Sequence, residues 1–179
     1  IVVPGLGAYR MDKKEADWEK NDITDQIDYS RYYGGAGCSF FRCANVLDNT
    51  KGIYDELKNV YYKYPAQLPP LKWLDDAVPE APSEIKVRKE NNELELTWDV
   101  PEGKSDSLSY TVYYAINDSV DTQTSSHMLA TGVRGNSFRL PLTDETERMY
   151  SFCVTSSTRY RIESKPSKET IYYLLPYEK

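Results

Sequence analysis

The chain has 179 residues, of which 40% are hydrophobic and 28% charged, the composition of a folded globular protein rather than a disordered one. Its formal charge is −6, from 28 acidic against 22 basic residues, and the basic residues form no run or stripe, which excludes the electrostatic footprint of a nucleic-acid-binding protein. No apolar stretch approaches the roughly 20 residues of a helical membrane span, and the length suits one domain or two small ones.

The chain opens directly on an apolar, branched segment, Ile1-Val2-Val3-Pro4-Gly5-Leu6-Gly7, which predicts a buried strand. After a polar loop holding Trp18, residues 22–33 read as a helix. Asn21 or Asp22 can cap it, and Ile23 and Ile27 mark its apolar stripe. The run Gly34-Gly35-Ala36-Gly37 stops that helix, and Cys38-Ser39-Phe40-Phe41-Arg42-Cys43 reads as a second strand. Asp48 or Asn49 then caps a helix over 50–63, where Ile53, Leu57, Val60 and Tyr61 recur at helical spacing. Residues 1–64 thus predict a βαβα unit, the building block of parallel sheets and barrels. Two parallel strands cannot close a sheet, so the unit is expected to be the end of a larger α/β domain, or to associate with copies of itself through its open edge.

Pro65, Pro69, Pro70, Pro79 and Pro82 make residues 65–82 a stiff, extended connector, and Leu68, Leu71, Trp73 and Leu74 give it enough apolar surface to be packed rather than free. Trp73 reads as an anchor of that seam. From residue 83 to 179 the period changes to two. Glu93–Trp98, Tyr110–Tyr114 and Tyr150–Val154 alternate cleanly, and strand-like segments lie near 85–88, 127–131, 136–140 and 168–174. Seven short strands in about ninety residues indicate an all-β sandwich. The sixteen tyrosines, against four phenylalanines and three tryptophans, fit half-buried strands and sugar-facing surfaces alike.

Cys38, Cys43 and Cys153 are an odd, scattered set that builds no disulfide framework, and with the single His127 far away they offer no convergent metal ligands. His127, beside Ser125 and Ser126, lacks the nucleophile and orienting acid of a catalytic triad. No metal and no cofactor is expected.

Two resemblances add to this. The second domain resembles a fibronectin type III module through Leu96-Thr97-Trp98-Asp99-Val100-Pro101, through Tyr110, Val112 and Tyr114, through Leu142 followed by Tyr150, Phe152 and Val154, and through Glu163-Ser164-Lys165-Pro166-Ser167. In that pattern Trp98 fills the space between the sheets and Tyr150 is the tyrosine-corner residue. Residues 1–75 resemble the end of the bacterial family-10-like hypothetical glycosyl hydrolases, many of them lipoproteins. The carrying motifs are Pro4-Gly5-Leu6-Gly7-Ala8-Tyr9-Arg10, Asp25-Gln26-Ile27 to Ser30-Arg31, Gly37-Cys38-Ser39-Phe40-Phe41-Arg42, Asn49 with Lys51-Gly52-Ile53 and Leu57, and Tyr64-Pro65-Ala66-Gln67-Leu68-Pro69-Pro70. The resemblance implies that 1–64 is the last quarter of a (β/α)8 TIM-type barrel, with six strand–helix units missing before a fibronectin-like domain. It also implies a secreted, periplasmic or cell-surface protein whose parent barrel meets polysaccharide.

By the same resemblance a site lies at the carboxyl ends of the strands, where this chain carries Tyr9, Arg10 and Asp12 after the first strand and Arg42 and Asn45 after the second. Sugar cleavage needs two carboxyl groups roughly 5–10 Å apart. Similar barrels place one at the end of the seventh strand, where this chain has Tyr9-Arg10 and only Asp12 nearby, so the catalytic groups stay unassigned. Tyr9 can stack on a pyranose, and Arg10 or Arg42 can donate to hydroxyls or to an acidic sugar, or can instead serve as structural ion-pair partners. The leading expectation is the end of a glycoside-hydrolase-like protein, not catalytic by itself, with the sandwich as support or spacer. The alternative is a carbohydrate- or protein-binding surface module, for which Tyr113 and Tyr173 are candidate exposed aromatics.

Overall fold

A computed structural model describes residues 1–100, 107–142 and 148–175, so Pro101 of the tryptophan motif and the last four residues of the chain lie outside the described part. The chain divides into two compact units, residues 1–63 and 64–179.

The first unit is built on β1 (Gly5–Leu6) and β2 (Ser39–Phe40), paired in parallel with Gly5 opposite Ser39 and Leu6 opposite Phe40. Helix α1 (Lys20–Tyr32) begins one residue before the capping candidates. Glu19 is its cap, in a reciprocal capping box with Asp22, whose carboxylate accepts the Glu19 N–H at 2.8 Å. Its stripe Ile23 and Ile27 is fully buried against Leu6, Ala8, Met11, Ile53 and Leu57. The single helix expected over 50–63 is broken. Helix α2 (Cys43–Leu47) starts where the second strand was expected to run on, a 3-10 turn covers Thr50–Gly52, and α3 (Ile53–Glu56) continues as a π turn over Leu57–Tyr61. The break lies at Asn49, Lys51 and Gly52, all with φ between +51° and +78°. Lys51 holds that conformation because its ammonium is tied down. It donates to the carbonyls of Asp17 (3.1 Å) and Trp18 (2.8 Å) and to the carboxylates of Asp17 (2.8 Å) and Glu19 (3.1 Å). The hydrogen bond that Lys51 donates to the Asp17 carboxylate raises the Lys51 pKa and lowers that of Asp17.

The α/β reading of the chain, with residues 1–64 as the last quarter of a TIM-type barrel, is therefore corrected. Each strand of the parallel pair is two residues long, and among the described residues one helix exceeds five residues and most regular structure is strand, in three sheets; the fold is best described as all-β. The physical reason is local. Pro4, Gly5 and Gly7 shorten the first strand, Gly37 at φ +153° shortens the second, and left-handed residues cut the last helix.

Among its described residues the second unit carries seven strands in two antiparallel sheets. β3 (Ser83–Glu90), β4 (Glu93–Asp99) and β7 (Ser137–Pro141) form one, in the order β3-β4-β7. β5 (Ser109–Ile116), β6 (Met128–Val133), β8 (Arg148–Ser157) and β9 (Thr170–Leu174) form the other, in the order β6-β5-β8-β9. Alternate residues of each central strand fill a common core: Leu94, Leu96 and Trp98 from β4, Tyr110 and Val112 from β5, and Tyr150, Phe152 and Val154 from β8. Trp98 is 1% exposed and tilts onto Tyr110 at 5.3 Å; Tyr150 stacks on Phe152 at 6.0 Å. On the other face of the smaller sheet, register brings Arg88, Glu95 and Arg139 side by side across three strands, and both guanidiniums bond the Glu95 carboxylate.

The connector packs on the larger sheet, and does so mainly through polar contacts. The Gln67 amide donates to Thr111 Oγ1 (3.0 Å), Tyr113 Oη (3.1 Å) and Glu163 Oε1 (2.7 Å). Further along, Leu71 N–H donates to the Tyr160 carbonyl (2.8 Å), Ser156 Oγ donates to the Glu80 carbonyl (2.6 Å), and Pro79 and Pro82 are buried. Trp73 is not an anchor: it is 66% exposed, as Leu68 and Leu74 are largely exposed.

Three outcomes follow from this packing. Trp98→Ala should lower unfolding free energy by about 3–5 kcal/mol in urea titration, the cost of emptying a large aromatic site. The arginines hold the Glu95 carboxyl below the usual carboxylate range of 4.5, first by hydrogen bonds from Arg88 and Arg139. The folded pKa is depressed, so this contribution is complete above pH 4.5 and is lost as pH falls through the folded value. Glu95→Gln should flatten that acid limb of the stability curve. Cys153 lies in register with Tyr113, buried, its thiol pushed up to about 12 by desolvation and by the neighbouring Glu169 and Glu163. Gln67→Ala should speed Cys153 alkylation at constant pH, read by peptide mass mapping, while leaving Cys38 and Cys43 unchanged.

Candidate functional site

The parallel pair runs beyond its four ladder residues. Ala36 N–H donates to Val2 (2.9 Å), Ser39 N–H to Pro4 (2.9 Å), Phe41 N–H to Leu6 (2.8 Å) and, at the far end, Tyr9 N–H to the Phe41 carbonyl (3.0 Å). That last bond sets Tyr9 beside Phe41 and puts the residues that follow each strand into one cluster. A 3-10 turn, Ala8–Met11, buries Ala8 and Met11 and leaves Tyr9 half-buried and Arg10 exposed.

Tyr9 is the centre. Its ring meets Phe41 edge-on at 5.6 Å, the Arg42 guanidinium lies 5.8 Å from its centroid and that of Arg10 lies 5.9 Å away, with Arg10 Nε 3.4 Å from the phenol oxygen. Arg10 also stands over the Trp18 ring at 4.9 Å, and Trp18 N–H closes the loop by donating to the Arg10 carbonyl at 2.9 Å. Two cations thus share one aromatic ring, an arrangement that places positive charge and π surface together. Arg42 keeps its charge available. Its acidic partner, Glu15, is 3.8 Å away, and half of the arginine side chain is exposed. The Phe41–Arg42 peptide is cis.

Asp12 and Asn45 form a second pair beside the first. Asn45, on α2 and buried, donates through Nδ2 to Asp12 Oδ1 at 3.0 Å. Asp12 also anchors its own loop, its carbonyl accepting from Glu15 N–H (2.9 Å) and Asp17 N–H (3.2 Å). The five residues singled out in the sequence therefore stand at one end of the parallel pair, in two linked sets: Tyr9, Arg10 and Arg42 around an aromatic face, and Asp12 with Asn45 tying the turn after β1 to α2. Trp18, Phe41 and Glu15 belong to the same cluster and were not singled out as site residues. Trp18 was visible only as a lone aromatic in a polar loop, with nothing in its spacing to pair it with Arg10.

The other candidates do not assemble into a site. His127 Nδ1 accepts the Asp121 N–H at 3.0 Å and closes a surface turn. Tyr113 is 2% exposed beneath Gln67 and Glu163, and burial followed by the charge of Glu163 raises its pKa, whereas Tyr173 is 63% exposed; the two make no aromatic row. Among the described residues no group of three or more His, Cys, Asp or Glu side chains is placed to hold a metal ion, and no helix is long and apolar enough to cross a membrane.

No family model matches the chain. It is similar to the glycosyl hydrolase YngK of Bacillus subtilis (strain 168), with 31% identity over 172 residues; the match covers 93% of this chain and spans about a third of that relative, 33% of its length. Among solved structures it is similar to a family 28 exopolygalacturonase of Yersinia enterocolitica, with a TM-score of 0.41 and 15% identity over 55% of this chain and 21% of that one, a likeness too distant to bear on fold or function. The first similarity carries a glycoside-hydrolase-like relationship and no finer grouping.

Proposed function

We propose that the chain serves a glycoside-hydrolase-like protein of the family-10-like kind as a carbohydrate-contacting portion, with the Tyr9 cluster as the sugar-facing surface. The observation that carries this reading is the cluster itself: an aromatic ring flanked by two guanidiniums, on a chain similar to a glycosyl hydrolase over nearly its whole length. Tyr9 offers a face for a pyranose ring, Arg42 and Arg10 donate to sugar oxygens, and Asp12 with Asn45 holds the turn that presents them. The relative is about three times longer than the match, so hydrolysis is assigned to the larger protein and not to this chain alone. The second unit is read as a fibronectin type III-like support or spacer; its two sheets of three and four strands around Trp98 and Tyr150 support that role. The protein is placed outside the cytoplasm in this reading, at the cell surface, in the periplasm or secreted.

Affinity gel electrophoresis across neutral and acidic polysaccharides tests the proposal. The chain should be retarded by at least one glycan, Tyr9→Ala should lose about tenfold in affinity or more, and Arg42→Ala should lose a comparable factor, the weight of one stacking face or one charge-assisted hydrogen bond. The same chain should release no reducing sugar. Retardation unchanged by both substitutions removes the cluster from the binding role.

A further inference from the structure

The ring that covers Arg10 is itself held from a distance. A long arginine side chain loses more rotamer freedom on ordering than almost any other, so it keeps one position only where a partner fixes it. For Arg10 that partner is the Trp18 ring, 4.9 Å from the guanidinium, with the Tyr9 ring at 5.9 Å. Stacking on an aromatic face engages no N–H group, so Trp18 orders the guanidinium without spending its donors. Trp18 stands one residue before Glu19, the cap of α1, so no bond of that helix takes up its carbonyl. Its N–H donates to the Arg10 carbonyl at 2.9 Å. Its carbonyl accepts from Lys51 Nζ at 2.8 Å, and the same ammonium reaches the Asp17 carbonyl (3.1 Å), the Asp17 carboxylate (2.8 Å) and the Glu19 carboxylate (3.1 Å). One cation thus ties down three consecutive residues centred on the tryptophan.

The backbone at position 51 sets this apart from an ordinary ion pair. Lys51 and Asp17 are both left-handed, each with φ +51°, and their side chains meet. That conformation is costly for a lysine and not for a glycine, and Gly52 beside it is left-handed too, at φ +78°. The turn therefore does not call for a side chain at position 51; the loop that the side chain reaches does. Strained non-glycine residues persist where their surroundings over-determine them, and they gather at ligand sites. We propose, on the reading of the Tyr9 cluster as a sugar-facing surface, that Lys51 is its positioning residue: it pins loop 17–19 so that Trp18 covers Arg10 and holds the guanidinium beside Tyr9. Four acceptors stand around an ammonium with three N–H donors, so Lys51 acts through Trp18 and not on the sugar itself.

Nitrogen-15 NMR of the arginine Nε–H groups, run beside affinity electrophoresis of the same variants, tests this. Trp18→Leu measures how far the tryptophan ring displaces the Arg10 Nε–H signal. Lys51→Gly, which takes the left-handed conformation without strain, should remove most of that displacement in a chain that still unfolds cooperatively. It should also weaken binding to a retarding glycan about two- to fivefold, the weight of one exposed cation–π contact. Asp17→Gly, again at a left-handed position, takes away one carboxylate and leaves the Lys51 bond to the Trp18 carbonyl; it should move the signal the same way by less. This second variant decides the outcome if Lys51→Gly does not fold. An Arg10 signal that keeps its wild-type position in the folded variant overturns the proposal, and so does a displaced signal with unchanged affinity. If no glycan retards the wild-type chain, the sugar-facing reading fails, while the signal still decides whether Lys51 holds Arg10.

Discussion

The first unit hangs on the short backbone ladder between residues 2–9 and 36–41. Side chains there follow the main chain. Once Tyr9 N–H bonds the Phe41 carbonyl, the phenol ring, the Phe41 ring and the two arginines that follow each strand have only a few ångströms in which to arrange themselves. The hydrophobic layer beneath, Leu6 with Ile23, Ile27, Ile53 and Leu57, fixes the height of that end over α1, and the Asp12–Asn45 bond fixes its azimuth relative to α2.

The second unit divides its work differently. Apolar contact holds the sheets to each other, whereas directed polar bonds hold the connector to the outside of one sheet. Glu163 collects Gln67, Tyr113 and Thr155 on a single carboxylate oxygen, so its partners are coupled and removal of one strands the rest in a site shielded from water. The Arg88–Glu95–Arg139 row does a comparable thing on the smaller sheet, tying three strands in one register through a single acid.

Legibility from sequence tracked the range of the interaction. The alternation of Glu93–Trp98, Tyr110–Tyr114 and Tyr150–Val154 is a property of consecutive residues, and those segments are strands. The stripe Ile23/Ile27 likewise spans one helical turn, and α1 is present. The helix expected through 50–63 failed because Lys51 gives up helical geometry for a loop thirty-odd residues away, a bargain invisible to any window along the chain. Trp73 was misjudged by treating apolar residues as the agents of packing in a segment that docks through Gln67 and a proline-flanked carbonyl. In the site, the residue types at the strand ends were readable from the placement of Tyr9-Arg10 and Arg42. The Asp12–Asn45 bond, the Trp18 cover over Arg10 and the Arg88–Glu95–Arg139 register all join positions that only the fold brings together.

The three tryptophans sample three surroundings: Trp98 is enclosed, Trp18 lies under a guanidinium, and Trp73 stands in water between the pinned points of the connector. Their emission should accordingly be separable by colour and by access to a dissolved quencher. The chain carries its own optical reporters, one for each unit and one for the connector, with no label added.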